Sequence, residues 1–212
     1  IGYQALTAQN NNSAHYNVAV GMQAMSASVQ MSNTVAVGKA ALGACTDGDY
    51  NTVLGNNAMN GGSASNKNPS HNVAIGYDAY KNVDLNGDGN NTVIGDEAGG
   101  TLTTGTNNTI IGTAANPSAT GGSNQTVIGK GATGHADNIV VLGNTDVTAW
   151  HPPDDNGVDL GASNYRFANL YVGDVQMSNE GSGGNEVDGT EGKWTIQEGE
   201  DDLYLLNRKN GK

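Results

Sequence analysis

The chain is short of nearly everything that builds a thick globular core or a basic surface. Of 212 residues, one is cysteine (Cys45), one is phenylalanine (Phe167), two are tryptophan, four are proline, and aromatics make up 5%. A single cysteine excludes an internal disulfide framework, and with nothing basic beside it to activate the thiol, Cys45 is expected to be an inert small residue. Nine Lys and Arg against 21 Asp and Glu leave a formal net charge of -12. Nucleic-acid partners require clustered cations along the phosphates, and no basic stripe exists. No apolar run approaches the ~20 residues that cross a bilayer, so no membrane span is expected. A nucleophile elbow, a phosphate-binding loop and a Cys and His pairing are also missing, which weakens every enzymatic reading.

What is abundant is glycine, with 32 residues, and nine of them recur in one cassette. The strings IGYQA, VAVGMQA, VAVGKAA, TVLGNNA, VAIGYDA, TVIGDEA, TIIGTAA, TVIGKGA and VVLGNTD centre on Gly2, Gly21, Gly38, Gly55, Gly76, Gly95, Gly112, Gly129 and Gly143. The steps are 19, 17, 17, 21, 19, 17, 17 and 14 residues, and the first eight glycines have alanine three residues later. A fixed cassette joined by variable spacers is the mark of a coiled β architecture, in which length changes are absorbed in loops. The fold class is therefore all-β, a parallel solenoid of about nine short repeats.

Position by position, the residue before the glycine and the one three before it share one face of a strand. The residue between them (Ala19, Ala36, Val53, Ala74, Val93, Ile110, Val127, Val141) makes the opposite face apolar too. A strand without polar alternation is covered on both sides. One face fills the coil, and the other calls for a second copy of the chain, with the alanines buried where backbones of neighbouring copies approach. Where Val18, Val35 or Val73 stands three before the glycine, Ala follows; where Thr52, Thr92, Thr109 or Thr126 stands there, Val or Ile follows. This alternation is expected to keep apolar volume per turn constant. The glycines are expected at corners of positive φ, and Asn17, Asn51, Asn72, Asn91, Asn108 and Gln125, four before them, in a stacked amide ladder.

Residues 1–143, with their NTVxxG or NVAxG unit followed by xxA, resemble the head repeats of trimeric autotransporter adhesins and related repeats in phage tail fibres. That resemblance implies a left-handed parallel β-roll and a homotrimer; the cassette spacing alone implies only self-association. After Gly143 the text changes, and Pro152 and Pro153 break regular structure. A neck or closing segment is read over 144–178. Within it VDLGASNYRFANLYVGDV gathers Tyr165, Phe167 and Tyr171, a density expected to form a compact knot. Asp159, Leu160, Gly161, Tyr165, Arg166, Phe167, Leu170 and Tyr171 match a DLG..RF..LY segment similar to one that closes many phage tail fibres and tailspikes, often ahead of a self-cleaving chaperone. The residues after Val175 are too few and too polar for that chaperone. Residues 179–212 read as a small β-hairpin module, Trp194 to Gln197 and Leu203 to Asn207 joined by an acidic turn. This module resembles, less specifically, a terminal module in structural proteins of marine phages.

Candidate chemistry is sparse. In DLNGDGN, Asp84, Asn86 and Asp88 alternate and Gly89 follows, as in calcium loops, although Gly95 stands where the bidentate Glu belongs; an ordinary Asn-Gly or Asp-Gly turn is the competing reading. His15, His71 and His135 each precede a cassette, where an axis of association would gather three copies around a metal; plain surface histidines are the commoner case. Tyr16, Tyr50, Tyr77 and Tyr80 are expected to be exposed, either stacking on sugars or capping edges. Glu198, Glu200, Asp201 and Asp202 offer paired carboxylates for a polysaccharide depolymerase, yet such a run is usually a solvated face. An ice-binding array would need regular threonines, and here they are interrupted.

The function expected is therefore non-catalytic: a structural fibre protein of a phage virion, extracellular, joined to other tail or baseplate proteins and offering its spacer loops to a host cell-surface glycan or protein. The alternative is the head of a trimeric adhesin on a bacterial cell surface. The start in mid-repeat at Ile1 leads to the expectation of a longer polypeptide.

Overall fold

The computed structural model describes residues 1–8, 14–61, 68–153, 158–179, 185 and 187–209. Thirteen strands and no helix lie among them, in two compact units, Ile1–Thr148 and Ala149–Lys212.

The first unit is a parallel β-solenoid. Eight three-residue strands stack in one sheet: β1 (Val18–Val20), β2 (Val35–Val37), β3 (Thr52–Leu54), β5 (Val73–Ile75), β7 (Thr92–Ile94), β8 (Thr109–Ile111), β9 (Thr126–Ile128) and β10 (Val140–Leu142), one turn apart over seven turns. Every pairing keeps the cassette in register, so Ala19, Ala36, Val53, Ala74, Val93, Ile110, Val127 and Val141 form one column. The first cassette stacks without forming a strand: the amino group of Ile1 donates to Ala19 O, and the N–H of Gly21 donates to Ile1 O at 2.7 Å. The spacers from Gly55 to Gly76 and from Gly76 to Gly95 make a second, two-stranded parallel sheet, β4 (Asn68–Ser70) against β6 (Asn86–Asp88).

The interior is filled by the chain itself. From Ala19 to Val127 the middle residue of each strand of the eight-stranded sheet is buried, and so is the alanine three after each cassette glycine from Ala24 to Ala132. The expectation that alanines line a contact between copies is thus not met; small residues are needed because the two walls of a narrow coil approach each other. Met31, Cys45, Val83, Leu85 and Leu102 from the spacers complete the interior.

Volume is balanced across the coil, not within the strand. Three residues before the glycine the side chain points outward, so it cannot trade space with the inward-facing middle residue. In most turns the middle residue instead trades with the residue four after the glycine, Val53 with Met59 being the exception in which both are large. Ala19 goes with Met25, Ala36 with Leu42 and Ala74 with Tyr80, whereas Val93 goes with Gly99, where an added Cβ would stand 2.9 Å from Val93 Cγ1.

The cassette glycines adopt φ from +129 to +142° over Gly21, Gly38, Gly55, Gly76, Gly95, Gly112 and Gly129. Conformation is half of the reason for glycine: a Cβ on Gly21, Gly38, Gly55, Gly76, Gly95 or Gly112 would overlap the carbonyl of the cassette glycine one turn on. The next corners are left-handed as well, yet most are built without glycine. Gln23, Ala40, Asn57, Asp78, Glu97 and Ala114 have φ of 52 to 59°, and Met25, Leu42, Met59 and Tyr80 have φ of 47 to 54°. Such residues cost about 1–2 kcal/mol each. Inter-turn bonds hold them there, Gln23 N–H to Tyr3 O at 2.8 Å in one direction and Met25 N–H to Ala41 O at 3.0 Å in the other.

The second unit holds a three-stranded antiparallel sheet, β11 (Asp174–Ser178), β12 (Lys193–Glu198) and β13 (Leu203–Asn207). The predicted hairpin is present, and β11, from the segment assigned to the neck, adds a strand to it. The expected aromatic knot is absent: Tyr165, Phe167 and Tyr171 are 77%, 65% and 91% exposed.

Candidate functional site

Three surfaces of the solenoid follow from which way each cassette position points. The first is the outer face of the eight-stranded sheet. Parallel register aligns Val18, Val35, Thr52, Val73, Thr92, Thr109, Thr126 and Val140 in one column. Val20, Val37, Leu54, Ile75, Ile94, Ile111, Ile128 and Leu142 align in a second. None of these sixteen side chains is buried, and none is charged. A sheet face of this length carrying only Val, Leu, Ile and Thr is more apolar than a solvated face ordinarily is.

The second surface is the amide ladder, and it points inward. Asn51, Asn72, Asn91, Asn108 and Gln125 are all buried. The side-chain oxygen of each accepts the backbone N–H of the next, from Asn72 onto Asn51 at 3.0 Å to Gln125 onto Asn108 at 3.0 Å. Thr34 occupies the rung between Asn17 and Asn51, accepting Asn51 N–H on its hydroxyl at 3.2 Å. The ladder closes at Gln125, whose extra methylene carries the amide to Ser118 Oγ at 2.8 Å and Asp137 Oδ1 at 3.2 Å.

A further ladder, not anticipated from the sequence, runs two residues before the amides, where polar oxygens cap the N–H of the turn above. His15 N–H donates to Ser32 Oγ, Ser32 N–H to Asp49 Oδ1, Asp49 N–H to Ser70 Oγ, and Ser123 N–H to Asp137 Oδ1, at 3.1, 2.6, 3.0 and 2.8 Å. The signal was the recurrence of Ser, Asp and Thr six before the glycine.

The third surface is the exposed column five before each glycine, where Tyr16, Asn33, Tyr50, His71, Asn90, Asn107, Asn124 and Asn138 all take left-handed φ of 50 to 61°. Tyr50 stacks on His71 with centroids 4.9 Å apart and planes 20° off parallel, so one face of each ring is occupied. His71 Nδ1 in turn lies 2.9 Å from Asp88 Oδ1.

The remaining candidates disperse. Asn86 and Asp88 lie on strand β6, both exposed, and Asp84 stands before it with its N–H on Thr103 O. The segment is extended, not wrapped, and among the described residues no three His, Cys, Asp or Glu side chains gather for a metal. His15 meets Tyr16 with ring centroids 6.0 Å apart and planes tilted by 59°, and His135 is exposed. Tyr16, Tyr50 and Tyr77 are exposed as expected, but Tyr80 is fully buried, because the alanine opposite it leaves a space only a large side chain fills. Its hydroxyl accepts Asn91 Nδ2 at 3.1 Å, and burial raises its pKa above the ordinary 10.0, an effect the Asn91 bond partly offsets. Glu200, Asp201 and Asp202 form an exposed turn after Glu198, closed by Gly199 N–H on Asp202 O at 2.8 Å. No helix of the described residues is long and apolar enough to cross a membrane.

Comparison with protein-family models, with curated proteins and with solved structures gave no match.

Proposed function

We propose that this chain is a structural fibre protein of a phage virion, a rigid homotrimeric spacer whose outward loops meet host-surface molecules and whose ends join other tail or baseplate proteins. The observation that carries the reading is the outer sheet face: eight strands present sixteen Val, Leu, Ile and Thr side chains outward from a coil whose interior is already full. With the inside satisfied by the chain itself, the outer stripe is free to pack coil against coil, which favours side-by-side copies over intertwined ones. Stacking by in-register backbone bonds supplies stiffness, and the DLG..RF..LY residues Asp159 to Tyr171 favour a phage fibre over the alternative of an adhesin head on a bacterial surface. Catalysis plays no part in this reading.

Sedimentation and light scattering of the full chain test it. The expected mass is three times 21.6 kDa, on an elongated particle by negative-stain microscopy. A well-folded single chain at micromolar concentration overturns the proposal. Recovery of the protein from purified virions separates the phage reading from the adhesin one.

A further inference from the structure

Residues 158–172 form a defined turn but have no core. Ala162 and Tyr165 exchange both backbone hydrogen bonds at 3.1 Å around a two-residue turn, entered through Gly161 at φ +91°. A Cβ on Gly161 would stand 3.0 Å from Tyr165 O, so the turn is tightly made. Its large side chains nevertheless face water: Leu160 is 79% exposed, Tyr165 77%, Phe167 65%, Leu170 65% and Tyr171 91%. With Trp150, Val158 and Val172 this comes to on the order of 1,000 Å² of apolar surface per chain, above the roughly 800 Å² per partner of a standard interface. A soluble chain does not keep that much ordered apolar surface wet without a partner.

The same residues form a hollow. Trp150, Leu160, Phe167 and Leu170 wall an open cleft of about 810 Å³, with Asp159 and Arg166 also lining it. Tyr171 and Tyr165 are not in its lining; they stand outside it as projecting rings. We infer that copies of this chain interlock here, the Tyr171 ring of one copy seating in the Trp150–Phe167 cleft of the next. The inference rests on the self-association proposed above and names the residues that would carry it.

Charge argues for a second copy as the occupant. The whole chain has a net charge of -12, but over 158–172 the only charges are Asp159 and Arg166. The segment is neutral and self-complementary, so two copies meet without the repulsion the rest of the surface would bring, and Arg166 of one faces Asp159 of the other. Knob and cleft are different residues. In the homotrimer proposed above the contact passes head-to-tail around the axis and closes into a ring, whereas in a two-fold dimer the two copies would exchange knobs reciprocally.

The test is disulfide trapping in the full chain with Leu160→Cys and Tyr171→Cys combined; both positions are exposed, so folding is unaffected, and unchanged circular dichroism checks this. Cys45 is buried and serves as the internal control. Oxidation of the double variant is expected to give covalent dimers and trimers on a denaturing, non-reducing gel, while each single variant runs as one chain. A double variant that runs only as single chains, bridged internally or not, while scattering still reports an oligomer, overturns the interlock and leaves the assembly reading standing. Covalent dimers from the single variants overturn it too, since they bring like residues of two copies together instead of knob and cleft, and covalent dimers without trimers from the double variant mark a reciprocal two-fold pair and overturn the ring. A monomeric mass for the unmodified chain removes the assembly itself.

Discussion

Asn108 donates its side-chain amide to Asn91 Oδ1 over 3.0 Å, and the same oxygen accepts the backbone N–H of Asn108, also at 3.0 Å. Asn91 meanwhile donates to Asn72 Oδ1, Tyr80 Oη and Gly105 O at 3.3, 3.1 and 2.9 Å. One buried side chain thus serves three levels of the coil. Asn91→Leu strips these partners together, and each buried group left unpaired costs about 1–3 kcal/mol. The expected loss is roughly 4 kcal/mol or more by denaturant unfolding, against about 1 kcal/mol for Asn17→Ala at the half-buried end of the ladder. Equal costs at the two positions would show that the rungs do not act as a buried network.

Two glycines separate conformation from crowding. Gly87 and Gly95 have nearly the same φ, +134 and +137°, but a Cβ on Gly87 meets nothing within 4 Å, while one on Gly95 would lie 2.6 Å from the Gly112 carbonyl carbon. Gly87→Ala is expected to cost only the left-handed conformation, about 1–2 kcal/mol. Gly95→Ala adds a backbone overlap that the stacked turn cannot relieve, and a total above about 4 kcal/mol is expected, with Gly95→Val disrupting assembly. Similar melting curves for the two alanine variants would remove stacking as the reason for the glycine column.

The pairing of Val93 with Gly99 makes a compensation testable in one cycle. Gly99 has φ +60°, close to the 54° of Leu42, so leucine fits that backbone, and the three atoms nearest an added Cβ all belong to Val93. Val93→Ala leaves a cavity worth about 1–3 kcal/mol, and Gly99→Leu overpacks by a similar amount. Combined, they recreate the Ala36 and Leu42 arrangement three turns away. The double variant should recover most of both losses, a coupling of roughly 1–3 kcal/mol; strict additivity would show that the two do not share a space.

How far the sequence discloses this molecule differs by feature. Parallel register, the strand positions and the amide ladder are legible because every turn repeats the same residue at the same offset, from Asn51 to Gln125. Which face is inside was not, since Ala19 and Val20 are both apolar and periodicity carries no direction. The misplacement of Tyr80 follows from that ambiguity: its exposure was inferred from lying in a spacer, while the space that accepts it is set by Ala74, across the coil. Left-handed corners at Asn33, Asn90, Asn107, Asn124 and Asn138 suit a residue that tolerates that region, but the same geometry at Tyr16, Tyr50 and His71 is imposed by stacking on neighbouring turns. The alternating Asp84, Asn86 and Asp88 fit a strand as well as a loop, and pairing with Asn68–Ser70, far away in sequence, made it a strand.

Tyr80 gives the fold an alkaline limit. Burial raises its pKa above the ordinary 10.0, so the unfolded chain releases this proton before the folded chain does. The sign follows: stability from the neutral phenol is fully present below pH 10 and is lost as pH rises above it, at about 1.4 kcal/mol per pH unit. Melting between pH 8 and 11 should show that fall in the unmodified chain and a shallower one in Tyr80→Phe. Parallel curves for the two chains would place the alkaline sensitivity elsewhere.

Adjacent residues of one strand separate folding from assembly. Val93 is fully buried inside the coil, and Ile94, next to it, is half-buried on the outer sheet face. Strand geometry alternates faces at every residue, so one substitution moved by a single position changes compartment. Val93→Glu places a carboxylate among Ala74, Gly99 and Ile110, where no partner offsets its desolvation, and the β-sheet circular dichroism should be lost. Ile94→Glu places the same charge where water reaches a lone chain, so the sheet signal should persist at room temperature. Side-by-side packing would bring copies of that glutamate together on an apolar stripe, which costs both desolvation and like-charge repulsion. The expected outcome is a folded single chain by sedimentation. If Ile94→Glu keeps the oligomeric mass of the unmodified protein, the outer sheet face is not where the copies meet.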